Sequence, residues 1–275
     1  MPTLQAPRGR PHLLLLAPLL LLLLAFWPAP AVARPPPLAL RTPRQPGAGL
    51  ALAASSPAAR RVAQTAVHYY NFQRGSPSAL RAPGHVKKAS LKVIPGLGRK
   101  YIIVFGTKDL QTGENLGPCY AYVFYQKEKP HPFVEIFCSP DQNRTQHLEQ
   151  DYALYHSLRG DKKPSLERLW SLGDYGSSFI AWQSSTEDLA YTLTLIKHVQ
   201  PWKREDDSLE FDYNVLLSDV FTEASLSCHM RIVWRPGQPA QVKYDCSSED
   251  GSTESADGSG AEFGSTEGFF GSGNN

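Results

Sequence analysis

The chain is expected to fold as an α+β protein in which a helix laid on a four-stranded antiparallel sheet occurs twice, the copies joined by a linking helix. Three observations carry this expectation. A helix-like start followed by short alternating strands runs from Ala58 to Cys138 and returns at almost the same length from Ser165 to Cys246. In the second copy apolar residues fall on alternate positions through four successive runs, as half-buried strands require. Each copy also carries one cysteine on its third strand and one on its fourth, Cys119 with Cys138 and Cys228 with Cys246, 19 and 18 positions apart.

At the N-terminus Arg8 and Arg10 precede a 15-residue apolar run, Leu13 to Trp27, and Ala31-Val32-Ala33 offers a small-x-small cleavage pattern before Arg34. Residues 1–33 therefore read as a secretory signal peptide. A membrane anchor is the alternative, but the run falls short of the ~20 residues that cross a bilayer, and Pro18 interrupts it. Cleavage would leave the four cysteines in an oxidising compartment. Residues 34–56, rich in Pro, Ala and Gly without periodicity, read as a leader with no fold of its own.

The first copy spans residues 57–140. Val62, Ala66, Tyr69 and Phe72 share one helical face, which Pro57 opens and Gly75 closes. Pro83-Gly84 reads as a break before strands at Ser90 to Ile94, Tyr101 to Lys108, Cys119 to Gln126 and Phe133 to Cys138. Pro95-Gly96-Leu97-Gly98 reads as a hairpin turn, since neither a helix nor a P-loop lysine follows it. Tyr120, Tyr122 and Phe124 alternate with Cys119, Ala121, Val123 and Tyr125, so both faces of that strand are apolar. The pattern predicts a helix over one face and another domain or a partner over the other. With no basic patch expected around these rings, base stacking is disfavoured.

Residues 141–163 form the link. Asn143-Arg144-Thr145 is the single N-x-[ST] sequon, which makes Asn143 the candidate glycosylation site. From Gln146 to Leu158, the residues Leu148, Tyr152, Tyr155 and Leu158 share a helical face, and Gly160 and Pro164 end the helix. The second copy, 164–246, opens with a helix from Ser165 to about Trp182. Its inward strand sets are Tyr191, Leu193, Leu195; Phe211, Tyr213, Val215, Leu217; Cys228, Met230, Ile232, Trp234; and Val242, Tyr244, Cys246. Four cysteines allow three pairings; adjacency of antiparallel strands favours one bridge inside each copy.

Residues 247–275 hold six acidic residues, seven glycines and seven serines, and cannot bury enough surface to fold. Ser247, Ser252 and Ser265 each stand two positions before a glutamate, a pattern open to secretory-pathway phosphorylation. Phosphorylated, the tail would be a polyanion suited to calcium and hence to a calcium carbonate surface. The net charge of +2 over 275 residues hides an asymmetry: residues 1–60 carry six basic and no acidic residues, and the tail six acidic and no basic ones. The middle is nearly neutral, which argues against a nucleic-acid binder.

Nothing in the sequence assembles an active site. The histidines at 12, 68, 85, 131, 147, 156, 198 and 229 form no metal-ligand spacing, and no cysteine pair has it either. Glu205-Asp206-Asp207 reads as a solvated turn, because one short acidic run supplies too few positioned oxygens for calcium. No catalysis, metal or cofactor is expected.

The stretches VAQTAVHYYNFQRGSPSALRAPGHVKKAS, IPGLGRKYIIVF, FDYNVLL, IVWRPG and VKYDC resemble the latexin family, with a match from about Arg61 to Cys246, 186 of 275 positions. That resemblance implies two tandem cystatin-like subdomains packed rigidly through the linking helix. It also implies two functions. The secretory start, the tail and the length are most similar to a member found in calcified eggshell matrix, implying a secreted matrix glycoprotein whose partners are calcium carbonate and matrix proteins. Other members inhibit zinc metallocarboxypeptidases through a hairpin loop of the second subdomain, corresponding here to Ser218, Asp219, Val220, Phe221, Thr222 and Glu223; such inhibition would suit antimicrobial defence. Where inhibitory members carry a histidine and a glutamine against the enzyme, this chain has Ser218 and Glu223. An unpaired carboxylate in a desolvated interface costs several kcal/mol, so weak or altered inhibition is expected. Cysteine-protease inhibition is disfavoured because Tyr101 to Gly106 replaces the hairpin that true cystatins use.

Overall fold

A computed structural model describes residues 49–160 and 164–248. The signal-like segment, residues 34–48 of the leader, and the tail beyond Ser248 lie outside them. In chain order the elements are β1 (Leu50–Leu52), α1 (Pro57–Arg74), β2 (Arg81–Ile94), β3 (Gly98–Asp109), β4 (Asn115–Gln126), β5 (Phe133–Cys138), α2 (Arg144–Gly160), α3 (Leu166–Ser184), β6 (Tyr191–Trp202), β7 (Leu209–Asp219), β8 (Ser225–Trp234) and β9 (Gln241–Ser248). They form two antiparallel sheets, ordered β1-β2-β3-β4-β5 and β6-β7-β8-β9. Helix α1 packs on the first sheet and α3 on the second, so the architecture is α+β with the helix-on-sheet unit repeated.

Helix α1 starts where the sequence signals it. Ser56 caps it by accepting from Ala59 N at 3.2 Å, Pro57 takes the first turn, and Gly75 N closes it on Asn71 O at 2.8 Å. Val62 and Ala66 sink into the first core with Ile103, Phe105, Ala121 and Val123. Tyr69 and Phe72, further along the same face, turn instead to α3, where Tyr69 meets Trp182 edge-on at 4.9 Å and Phe72 meets Phe179 at 4.5 Å.

Several sequence expectations need correction. The leader is not wholly without structure, because Leu50, Ala51 and Leu52 pair with Leu91, Ser90 and Ala89 and so add a fifth strand to the first sheet. Strand β2 begins at Arg81 and runs through Pro83-Gly84 instead of breaking there. Register shifts between Pro83 and Val86 and between Val86 and Lys88 absorb the missing proline donor. In β6 a shift between Leu193 and Leu195 reverses the alternation, leaving Leu195 46% exposed while Ile196 is buried. On α2 the buried face is Asp151, Tyr155 and Leu158, with Leu148 and Tyr152 exposed. Asp151 is buried because its carboxylate accepts from Ser78 N at 3.0 Å, fastening α2 to the segment between α1 and β2. Finally, Ser247 lies in β9 opposite Ser227, not in an unstructured tail.

The cysteines resolve to Cys119–Cys138 and Cys228–Cys246, with Cα atoms 4.0 and 4.1 Å apart. In each bridge the two residues stand directly opposite on neighbouring strands. Helix α3 approaches the second sheet closely at Gly173 and Gly176. A Cβ at Gly176 would lie 2.9 Å from Met230 Sδ, and one at Gly173 would lie 3.0 Å from Ile196 Cδ1. The cores are interlocked. Trp182 of α3 belongs to the first core and donates its indole N–H to Pro132 O at 3.2 Å, while Leu80, just before β2, belongs to the second.

Candidate functional site

The hairpin between β7 and β8 is built around Asp219. Its backbone N–H donates to Ala224 O at 2.9 Å, closing the loop, and its carboxylate accepts from Ala190 N at 2.7 Å and Phe221 N at 3.0 Å. Burial alone would raise this carboxyl's pKa, but the donors from Ala190, Phe221 and Thr222 more than reverse that and hold it below the ordinary aspartate value. The charge is thus committed to holding the loop and is not free for a ligand.

The loop is also tied to the first copy. Arg60 and Arg61 of α1 place their guanidinium carbons 4.7 and 5.0 Å from the centre of the Phe221 ring, and Arg61 Nε lies 3.8 Å from Asp219 Oδ1. Phe221 is therefore turned inward against α1. Val220, 55% exposed, and the exposed Thr222 and Glu223 form the outward tip. Ser218 stays in the strand, its hydroxyl 3.1 Å from that of Thr194. A partner meeting this tip would find a fixed backbone, one apolar side chain and one carboxylate.

The first copy has the same loop. Between β3 and β4, Asp109 N donates to Glu114 O at 2.8 Å, and the Asp109 carboxylate accepts from Gln111 N at 2.9 Å and Thr112 N at 2.7 Å. Asp-x-x-Thr recurs as Asp109 to Thr112 and Asp219 to Thr222 with the same job. That repetition was present in the sequence and is the signal that could have marked Asp219 as a structural residue within the candidate loop.

Behind the loop runs the seam between α1 and α3. His68 lies buried there, with Gln64 Nε2 at 2.7 Å from its Nε2 and Ser178 Oγ at 3.4 Å from its Nδ1. Burial lowers its pKa to about 4, against a smaller opposing effect of the Tyr191 backbone. Burial likewise raises Asp174 of α3 to about 6. At the edge of the seam Glu187 accepts from Arg99 Nη1 at 2.7 Å and from the Tyr101 hydroxyl, binding β3 to the α3–β6 connection.

The remaining candidates are dispersed. Asn143 is exposed immediately before α2. Ser247 is exposed on the edge strand β9, and Ser252 and Ser265 lie outside the described residues. Of the acidic run, Asp206 is held by Arg204 through two bonds of 2.8 Å and Asp207 by Arg159 at 3.1 Å, so those carboxylates are already neutralised. Among the described residues no group of three or more His, Cys, Asp or Glu side chains is placed to hold a metal ion, and no helix is long and apolar enough to cross a membrane.

Comparison with known proteins gives these features a family. The latexin family model matches residues 52–252. Ovocalyxin-32 of Gallus gallus is 37% identical over 266 residues, covering 91% of this chain and 94% of its own length. Human retinoic acid receptor responder protein 1 is 34% identical, covering 68% of this chain and 71% of its own, and human latexin is 28% identical over 68% and 91%. The described fold from α1 to β9 falls within the matched span, and the chain belongs to the latexin family.

Proposed function

We propose that the chain is a secreted, non-catalytic matrix protein of calcified eggshell, in which two cystatin-like units at 57–140 and 164–246, joined by 141–163, form a rigid body that carries an acidic mineral-binding tail. The observation that carries this reading is the extent of similarity to ovocalyxin-32, which covers 91% of this chain and 94% of that protein. Similarity to human latexin covers a smaller share of the chain. The exposed sequon at Asn143 and the two disulfides suit an extracellular glycoprotein. The test is calcium carbonate growth in the presence of the protein lacking its first 33 residues, compared with the same protein ending at Ser248. Altered crystal habit that depends on residues 249–275 is the expected result; identical effects of both forms would remove the tail from the mechanism.

A second reading, metallocarboxypeptidase inhibition, is favoured by the β7–β8 loop, whose backbone is set in advance by Asp219 and Phe221 so that little ordering entropy remains to be lost on docking. Glu223 at its tip opposes it, since a carboxylate must be desolvated unless the enzyme supplies a cation. Titration into a pancreatic-type carboxypeptidase A checks this. Weak inhibition that strengthens in Glu223→Gln is expected, and inhibition unaffected by position 223 would place the contact elsewhere.

A further inference from the structure

The two sheets perform the same task on their inner faces, so their outer faces form an internal control. On the second sheet the outer face is dressed with ion pairs. Arg231 bonds Asp212 at 2.7 and 3.0 Å, Arg204 bonds Glu210 at 2.6 Å, and the Trp202 indole donates to Asp212 at 2.6 Å. On the first sheet the corresponding surface is aromatic. The register pairs Tyr120 with Phe137, Tyr122 with Glu135 and Phe124 with Phe133, all on the face turned away from α1. Phe133 and Phe137 are 54% and 66% exposed, and Tyr120 meets Tyr122 edge-on at 4.9 Å. Helix-on-sheet packing does not require such a stripe, because the sister unit's outer face carries Trp202 tied to Asp212 but no comparable row of rings, and a contiguous exposed apolar patch on a secreted protein marks a contact surface.

Beside the aromatic stripe runs a basic one. Lys92 stands opposite Lys100, and Lys88 opposite Val104, on the same outward phase of β2 and β3. Lys100 Nζ lies 4.5 Å from the centre of the Tyr122 ring, joining the two stripes. Glu135 is the one carboxylate at the outward positions of β2 to β5. These lysines come from strands distant in sequence from the rings, and so were invisible as a basic patch until the sheet was assembled.

We infer that this face binds a linear anionic polysaccharide, sugar rings resting on the aromatic stripe of β4 and β5 and sulfate or carboxylate groups meeting the lysines of β2 and β3. Charge complementarity selects an anion. Two parallel stripes following the strands favour a chain-like ligand, and rings half sunk in the sheet lack the reach needed to enter a bilayer. Nucleic acid is disfavoured because the outward positions hold lysine and no arginine, the residue whose planar fork suits phosphates and bases.

The test uses the protein lacking residues 1–33 and a chondroitin sulfate dodecasaccharide as probe, with affinity measured by calorimetry. K88Q/K92Q/K100Q and F133S/F137S are each expected to weaken binding about tenfold or more, and K203Q, on the β6–β7 turn, less than about twofold. Thermal denaturation confirms that each variant is folded; an unfolded Phe variant is replaced by F137S alone. Affinity unchanged by loss of the phenylalanines would reduce the effect to nonspecific charge and overturn the proposal. It is equally overturned by tighter binding to phosphatidylserine vesicles or oligothymidine than to the glycan, or by no binding of the glycan at millimolar concentration.

Discussion

The first and second sheets of this protein carry the same staples, yet they meet their surroundings differently. Both have a disulfide between their last two strands and an Asp-x-x-Thr loop between their second pair of long strands. The outward face of the second sheet is closed by arginine–carboxylate pairs, while that of the first leaves rings and lysines open. The difference teaches where selection for folding ends. Inner faces must bury apolar area against a helix, which limits them to residues such as Ile103 and Phe105 or Tyr213 and Ile232. Outer faces carry no such demand, so what accumulates there reports on partners.

The comparison would break at once if the two units were energetically independent, and Trp182 decides this. It sits on the helix of the second unit but fills the core of the first. Trp182→Ala is expected to cost about 3–5 kcal/mol and lower the melting temperature by about 10 °C, with both units losing structure in one transition. Two separated transitions in calorimetry, only the first shifted, would show that the seam does not couple them.

The disulfides sharpen the comparison next. Their sequence separations are 19 and 18, so the chain-entropy account gives each about 3 kcal/mol. Cys119→Ala/Cys138→Ala and Cys228→Ala/Cys246→Ala should therefore lose similar stability in urea. A much larger loss for one pair would mean that its edge strand depends on the bridge for more than loop closure.

The seam has its own pH signature. His68 is held below its ordinary pKa of 6.5, at about 4. The unfolded chain takes up a proton there first, so stability falls as pH drops from about 6.5 to about 4. The window of some two and a half units corresponds to about 3 kcal/mol. Asp174, raised from 3.8 to about 6, works in the opposite sense, because the folded state prefers it protonated and stability is lost as pH rises through that range. The two partly cancel in the native protein. His68→Gln should leave Asp174, and Asp151, which burial raises in the same sense, unopposed by the imidazole, so that its melting temperature rises on acidification from pH 6.5 to pH 4.5; a fall like that of the native protein would place the acid sensitivity elsewhere.

Much of this was legible in the sequence, and what was not shares a cause. The duplicated unit, α1 with its Pro57 start, and the cysteine pairs followed from local periodicity and spacing, which one stretch of chain fixes by itself. The inversion at Leu195 and Ile196 did not, because a single bulge resets a period of two without leaving a residue that announces it. Asp151 was missed as a buried side chain because the donor that satisfies it, Ser78 N, lies 73 positions away. Lys88, Lys92 and Lys100 gave no basic run beside Tyr120 and Tyr122, since only strand pairing brings them to one face. Within the candidate loop the sequence could not tell the outward Val220 from the inward Phe221, whose arginine partners belong to the other unit.

That last pair gives the smallest and most local test. The loops at Asp109 and Asp219 share their backbone hydrogen bonds but not their anchors: Phe221 lies against Arg60 and Arg61, and the equivalent Gln111 donates from its side chain to Pro77 O at 3.2 Å. Two cation–π contacts of about 0.5–1 kcal/mol each give Phe221→Ala an expected loss of about 1–2 kcal/mol, whereas Gln111→Ala removes one partly exposed hydrogen bond of about 0.5–1 kcal/mol. Global stability would barely separate the two, but amide exchange should. Without the ring, the Asp219 carboxylate still holds Ala190 N and the amide of residue 221, so the loop should keep its shape while the amides from 220 to 224 exchange faster, with no matching change at 110 to 114. If those amides are unaffected, Asp219 alone sets the loop, and the contact with α1 is an accident of packing. If they lose protection, the first unit's helix is part of the second unit's loop, and any partner that binds Val220 and Glu223 depends on residues 160 positions upstream in the chain, at Arg60 and Arg61.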